Sequence, residues 1–156
     1  MPTKEAHKTF AREAHERTWQ LLESDKRSPE EDAEMIEAAH TSAYHWVRGG
    51  TELNQQRAQW LLARVYSMLG MGERALFHAN HCHQLTETHK ELMKDFDRAF
   101  ALEGLARAHA SAGDLKQAAD YRRKAESAGQ QIADAEDRNY FLLDLRSGDW
   151  HGLRVE

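Results

Sequence analysis

Proline and cysteine are scarce in this chain of 156 residues: Pro2 and Pro29 are the only prolines and Cys82 is the only cysteine. Proline interrupts a helix because its ring removes an N–H and clashes with the preceding turn, so nothing of that kind breaks the chain after residue 29. A lone cysteine cannot close an intrachain disulfide. Valine and isoleucine together number five, against 23 alanines. Strands have little to be built from, whereas alanine loses no side-chain entropy on entering a helix. No apolar run approaches the roughly 20 residues that a membrane helix needs, and the mean hydropathy is −0.82. The opening Met1-Pro2-Thr3-Lys4-Glu5 lacks the apolar core of a signal peptide. These shortages predict an all-α, cytoplasmic chain with no membrane partner.

Positive charge is also in deficit. The formal net charge is −5, with lysine and arginine scattered along the chain, and the isoelectric point is near 6.1. A nucleic-acid module displaces counterions with a clustered basic surface, so no nucleic-acid partner is expected. The length suits one domain, 1–156, able to bury about 68–70% of the surface of its unfolded form.

Seven helices are predicted. The first spans about 3–23, with Phe10, Ala14, Trp19, Leu21 and Leu22 as its apolar stripe. Ser28-Pro29-Glu30-Glu31 is a start signal: serine as N-cap, proline in the first helical position and a glutamate three residues past the cap. The second helix then covers 29–48 and ends at Gly49-Gly50, and Thr51 caps a third over 52–69. Gly70-Met71-Gly72 turns the chain into a fourth helix ending near 89. Asp95 is the expected cap of a fifth, which runs to 112, and Gly113-Asp114 leads into a sixth ending near 129. Asp134 or Asp137 caps a seventh, ending near 146 and bearing Tyr140, Phe141, Leu142 and Leu145.

An internal repeat organises these helices. Leu62, Ala63, Tyr66, Gly70, Ala75, Ala79 and Cys82 recur in phase as Leu105, Ala106, His109, Gly113, Ala118, Arg122 and Ala125, an offset of 43 residues. Two antiparallel helices approach closely only where one presents a small side chain to the other. Ala14 and Ala39 are the corresponding candidates in the first hairpin. An alanine-rich antiparallel bundle without repeats would place small residues at its crossings too. The pattern of large apolar, small, aromatic and turn-glycine positions resembles the tetratricopeptide repeat. That resemblance implies hairpins at about 3–48, 52–89 and 95–129, stacked as a short right-handed solenoid and closed by a capping helix and tail over 134–156. The family repeat is about 34 residues, so an offset of 43 implies longer helices or an insertion at 88–95.

The resemblance also implies a site. In the family, the first helix of each hairpin lines a groove that receives peptides, which places Arg57, Trp60, Arg64, Ser67 and Met68 of the third helix and Phe100, Glu103, Arg107, Ala110 and Ser111 of the fifth along it. Of these, Arg57, Trp60, Arg64, Phe100, Glu103 and Arg107 are the candidate binding residues, suited to an acidic protein or peptide because guanidinium takes carboxylate bidentately and aromatic rings anchor apolar side chains. The lysine–asparagine clamp of the family's chaperone-binding members has no counterpart at these positions. Alternatively, Trp60 and Phe100 are core and the arginines solvated. Replacing Arg64 and Arg107 together is expected to leave folding nearly intact if both are exposed. Tyr44-His45-Trp46 is a second aromatic knot, either core or interface, and homo-oligomerisation is compatible with the stack.

Ten histidines raise a metal alternative. Glu37 and His40 sit at i, i+3 on one helical face, as carboxylate-bridged di-iron bundles require, but such sites use two such motifs. His78 and Cys82, at i, i+4, would supply two tetrahedral zinc positions. Cys82, however, falls on a small buried position of the repeat, where a thiol behaves as a small hydrophobe. No nucleophile elbow, phosphate loop or dinucleotide fingerprint is present. The reading is therefore an interaction module needing no cofactor, with a small helical metalloprotein or enzyme as the alternative.

Overall fold

The computed structural model describes residues 2–155. Among them are seven α-helices and no strand: α1 (Lys4–Leu22), α2 (Pro29–Gly49), α3 (Glu52–Met68), α4 (Gly72–Thr88), α5 (Asp95–Ser111), α6 (Leu115–Gln130) and α7 (Ala135–Arg146), with a 3-10 turn at Lys90–Leu92. Local chemistry starts most of them. The Thr3 hydroxyl accepts from the Ala6 N–H, and Ser28 and Glu31 exchange the two bonds of a capping box, each at 3.1 Å. Asp134 caps α7 by accepting from the Asp137 N–H at 2.9 Å. Asp95 is not the cap of α5. The N-cap is Lys94, whose N–H donates to the Asp97 carboxylate at 3.0 Å, and Asp95 reaches across to the Ala133 N–H at 3.0 Å.

Helices α1 with α2, α3 with α4 and α5 with α6 pair as antiparallel hairpins; α2 then packs on α3, α4 on α5, α3 on α5, and α7 on both α5 and α6. Leu21, Met35, Leu61, Leu62, Val65 and Tyr66 centre the core of the first two hairpins, while Ile132, Phe141, Leu145 and Trp150 centre that of the third hairpin and α7. Tyr121 packs against both. No helix among the described residues is long and apolar enough to cross a membrane.

The 43-residue repeat is realised atom by atom. Helices α3 and α5 have 17 residues each. Gly70 and Gly113 turn the chain at φ 73° and 85°, and the residues after them, Met71 and Asp114, donate N–H bonds of 2.9 Å to the Tyr66 and His109 carbonyls. Ala63, Ala75, Ala106 and Ala118 are each at most 1% exposed. Tyr66 stacks on His78 with ring centroids 5.5 Å apart and planes 6° apart; His109 stacks on Tyr121 at 5.4 Å and 7°. The same two positions of each hairpin thus hold the same pair with the residue types exchanged. In the first hairpin Ala39 is buried as expected, but Ala14 is only half-buried, and Ala11 and Thr18 (both 0% exposed) take the crossing instead. Ser42 ties it by donating to the Ala11 carbonyl at 3.1 Å. The extra length relative to a 34-residue repeat lies in the helices and in the 3-10 turn before α5.

Gly72 marks where consecutive hairpins touch. A Cβ there would lie 2.4 Å from the Ala112 Cα and 2.5 Å from its nitrogen, backbone atoms that cannot rotate away. Alanine is ordinarily the better helix former by about 1 kcal/mol. Here the clash outweighs that preference, and Gly72→Ala is expected to destabilise by about 1–3 kcal/mol in denaturant unfolding. A stability gain would mean that the two turns are not in contact.

Candidate functional site

The inner face is built by α1, α3, α5 and α7, each contributing one ring to a continuous row. Trp19 stacks on Trp60 at 6.0 Å, Trp60 meets Phe100 edge-on at 5.3 Å, and Phe100 meets Tyr140 at 6.4 Å. A cleft of about 220 Å³ runs along this row, with His15, Gln56, Arg57, Phe96 and Asp97 completing its walls. Tyr140 is 62% exposed.

Polar groups in these walls and buried behind them are bonded to one another. Gln56 is buried, and its amide donates to Thr86 Oγ1 at 3.0 Å and to the Asp97 carbonyl at 3.2 Å. Arg57 clasps Asp97 through Nε at 2.9 Å and Nη2 at 3.1 Å. Trp60 Nε1 donates to Glu103 Oε1 at 2.8 Å. The other Glu103 oxygen takes Arg64 Nη1 at 2.6 Å and Arg107 Nε. Arg64 continues to Asp144 of α7, with Nη2 at 2.6 Å from Oδ1, and Arg107 Nη2 donates to the Asp144 and Ser147 carbonyls at 2.8 and 3.1 Å. Burial works against the charge on Arg64, and the Glu103 and Asp144 carboxylates more than offset it, so its pKa stands above the ordinary arginine value.

The six predicted binding residues are therefore brought together, but in two different environments. Trp60, Phe100 and Arg57 line the cleft. Arg64 and Arg107 do converge on one point, yet their side chains are only 12% and 5% exposed, and Glu103 is fully buried. Their expected exposure is corrected by α7, which lays Asp144 against Arg64 from 80 residues downstream. Ser67 and Ala110 are buried, Ser111 is half-buried and Met68 is exposed. Sequence reasoning missed His15, Phe96 and Tyr140 as lining residues and placed Trp19 only in a core stripe. Its signal for Trp19 and Tyr140 was an aromatic residue on an inner-helix stripe.

The aromatic knot divides. Trp46 packs against the core, Tyr44 is exposed beneath the Arg48 guanidinium at 3.5 Å, and His45 Nδ1 lies 2.8 Å from His7 Nδ1. The metal candidates divide as well. Glu37 lies beside Phe10 and Thr41 in the outer groove of the first hairpin, while His40 Nε2 pairs with the Tyr66 hydroxyl at 2.8 Å and His78 Nδ1 with Gln59 Oε1 at 2.7 Å. Cys82 is 1% exposed, and burial pushes its thiol pKa up. Among the described residues no three His, Cys, Asp or Glu side chains gather to hold a metal ion. Comparison with protein-family models, curated proteins and solved structures finds no match.

Two predictions follow from these burials. Replacing Arg64 and Arg107 together by alanine strands the Glu103 carboxylate without its cations, and the loss is expected to reach about 3–5 kcal/mol in denaturant unfolding. A loss under about 1 kcal/mol, the level of exposed pairs, would contradict the network. The second concerns His78, whose pKa is lowered from 6.5 to about 4 by burial first and then by His40, His81 and Arg74. The folded chain resists a proton that the unfolded chain accepts. The stability tied to neutral His78 is thus complete above pH 6.5 and lost progressively as the pH falls from there through about 4. Melting temperatures across that window should fall less steeply for His78→Gln than for the native chain, and identical slopes would refute the assignment.

Proposed function

We propose that this chain is a tetratricopeptide-like interaction module whose inner cleft binds an apolar segment of a peptide or protein partner. The row of four rings from four different helices carries this reading. Aromatic side chains supply large contact area at low entropic cost and dominate interface energetics. Because the wall donors of Gln56 and Trp60, and Arg64 and Arg107 behind them, already have acceptors within the chain, the cleft offers a ligand mainly ring surface. Charge enters at one rim only. Arg57 is 41% exposed, and its Nη1 has no partner among the described residues, so a large apolar anchor flanked by a carboxylate is the chemistry that fits. A role for Arg64 and Arg107 in direct ligand contact would first require displacement of α7.

Panning a displayed peptide library against the full chain tests this. The expected consensus holds large apolar or aromatic residues, and binding should perturb the fluorescence of Trp19 and Trp60. Tyr140→Ala, a substitution at an exposed position, should retain the fold while weakening the selected peptides by tenfold or more, about 1.4 kcal/mol. Selection without a consensus, or peptides indifferent to both Tyr140→Ala and Trp19→Ala, would overturn the assignment.

A further inference from the structure

A second pocket, lying away from the aromatic row, is lined by a different chemistry. Helix α6 presents Ala119, Arg122, Arg123 and Glu126 to the C-terminal tail, where Leu153 and Arg154 form the facing wall, and the space between them is about 380 Å³. The four α6 residues follow the i, i+3, i+4, i+7 pattern of one helical face. Three of the six lining residues are arginine and one is acidic.

Arg122 is the informative member. Its Nη2 donates to the Leu145 carbonyl at 3.2 Å, and its guanidinium lies 5.2 Å from the centre of the Trp150 ring, which also carries Arg107 at 4.3 Å. Trp150 thus joins two guanidinium groups rather than a cation and an anion. Among the described residues Arg122 has no carboxylate within ion-pair distance, and its Nε is shielded from solvent without a hydrogen-bond partner. Burial lowers its pKa first; Glu126 opposes the shift, and Arg107 and Arg146 add to it. Among the described residues Arg123 is paired only with Asp120 on its own helix, at side-chain exposures of 70% and 41%, an arrangement that is weak and readily exchanged.

We propose that the pocket between α6 and the tail binds a phosphate-bearing anion through the guanidinium groups of Arg122, Arg123 and Arg154. Guanidinium presents N–H donors in a planar fork that matches tetrahedral oxyanions, and several forks around one site exceed what the two oxygens of a carboxylate can use. The wall charges favour an anion as well: three arginines stand against Glu126, and the Asp120 carboxylate that holds Arg123 does so in an exposed pair that an incoming phosphate can replace. Leu153 and Ala119 give the pocket an apolar side against which a base or a side chain carrying the phosphate can rest.

Calorimetric titration of the full chain with pyrophosphate, with AMP, and with one serine peptide in phosphorylated and unphosphorylated forms tests the proposal. Saturable binding of a phosphate-bearing probe is expected, with no saturation by the unphosphorylated peptide. Tighter binding of AMP or pyrophosphate identifies a free small molecule as the source; tighter binding of the phosphopeptide identifies a modified side chain. Arg122→Gln should weaken the best probe by about tenfold to a hundredfold. Because Arg122 also supports Trp150, Arg154→Gln provides a second variant at an exposed residue, expected to weaken binding in the same direction, and Lys90→Gln, distant in sequence and exposed, should leave it unchanged. Absence of saturation by every phosphate probe up to about 10 mM, saturable binding of the unphosphorylated peptide as tight as that of the phosphorylated one, or full affinity in Arg154→Gln would each overturn the proposal.

Discussion

The inner face depends on one buried carboxylate. Glu103 is fully buried in α5, and an ionised carboxylate removed from water costs several kcal/mol unless charge and hydrogen bonds are returned to it. Trp60 and Arg64 of α3 and Arg107 of α5 supply them. Two guanidinium groups on one carboxylate leave an excess positive charge, and Asp144 of α7 balances it. The capping helix is therefore part of the electrostatic solution, not an accessory to the stack. Asp144 and Tyr140 stand one turn apart on α7 and so share a face; anchoring the first against Arg64 places the second against Phe100. The aromatic row is completed by the same contact that neutralises the core.

The repeat supplies the frame on which that network hangs. Turn glycines, small residues at helix crossings and the stacked Tyr–His pair return every 43 residues. Exchange of tyrosine and histidine between the two hairpins is permitted because stacking requires two flat rings at a fixed separation and does not depend on which helix carries which. The surroundings then differentiate the pairs. Tyr66 and His78 acquire His40 from α2 as a third ring, 5.8 Å from Tyr66 and 5.4 Å from His78.

What was legible in the sequence was what adjacent residues settle among themselves. The Ser28–Glu31 capping box, the glycines at 70 and 113 and the buried alanines of the second and third hairpins each express a local rule, and these rules agree with the packing. Errors arose where a partner comes from far away in the chain. The in-phase offset brings Arg64 and Arg107 toward one point, where both meet Glu103, but it carries no information about Asp144, 80 residues after Arg64. Asp95 looked like a cap by residue type, yet the N-cap is Lys94, and it is the Asp97 carboxylate one turn on that serves the Lys94 N–H and the Arg57 guanidinium together. In the first hairpin the half-buried Ala14 misled because Thr18 can occupy a crossing once its hydroxyl is returned to its own helix, at 2.8 Å from the Ala14 carbonyl.

This distribution of charge has a consequence for recognition. A groove whose arginines are already neutralised by its own carboxylates exerts little field at a distance, so steering by charge gives way to shape and ring contact. Ionic strength acts most strongly on exposed pairs and least on buried ones; added salt should therefore leave the Arg64–Glu103–Arg107–Asp144 network almost untouched while weakening the exposed Arg17–Glu34 pair that joins α1 to α2. The third hairpin thereby separates two uses of arginine that look alike in sequence. On α5, Arg107 is bound into the architecture through Glu103; on α6, Arg122 shares the Trp150 ring with it and has no carboxylate of its own among the described residues. Only the second retains charge to give to something outside the fold.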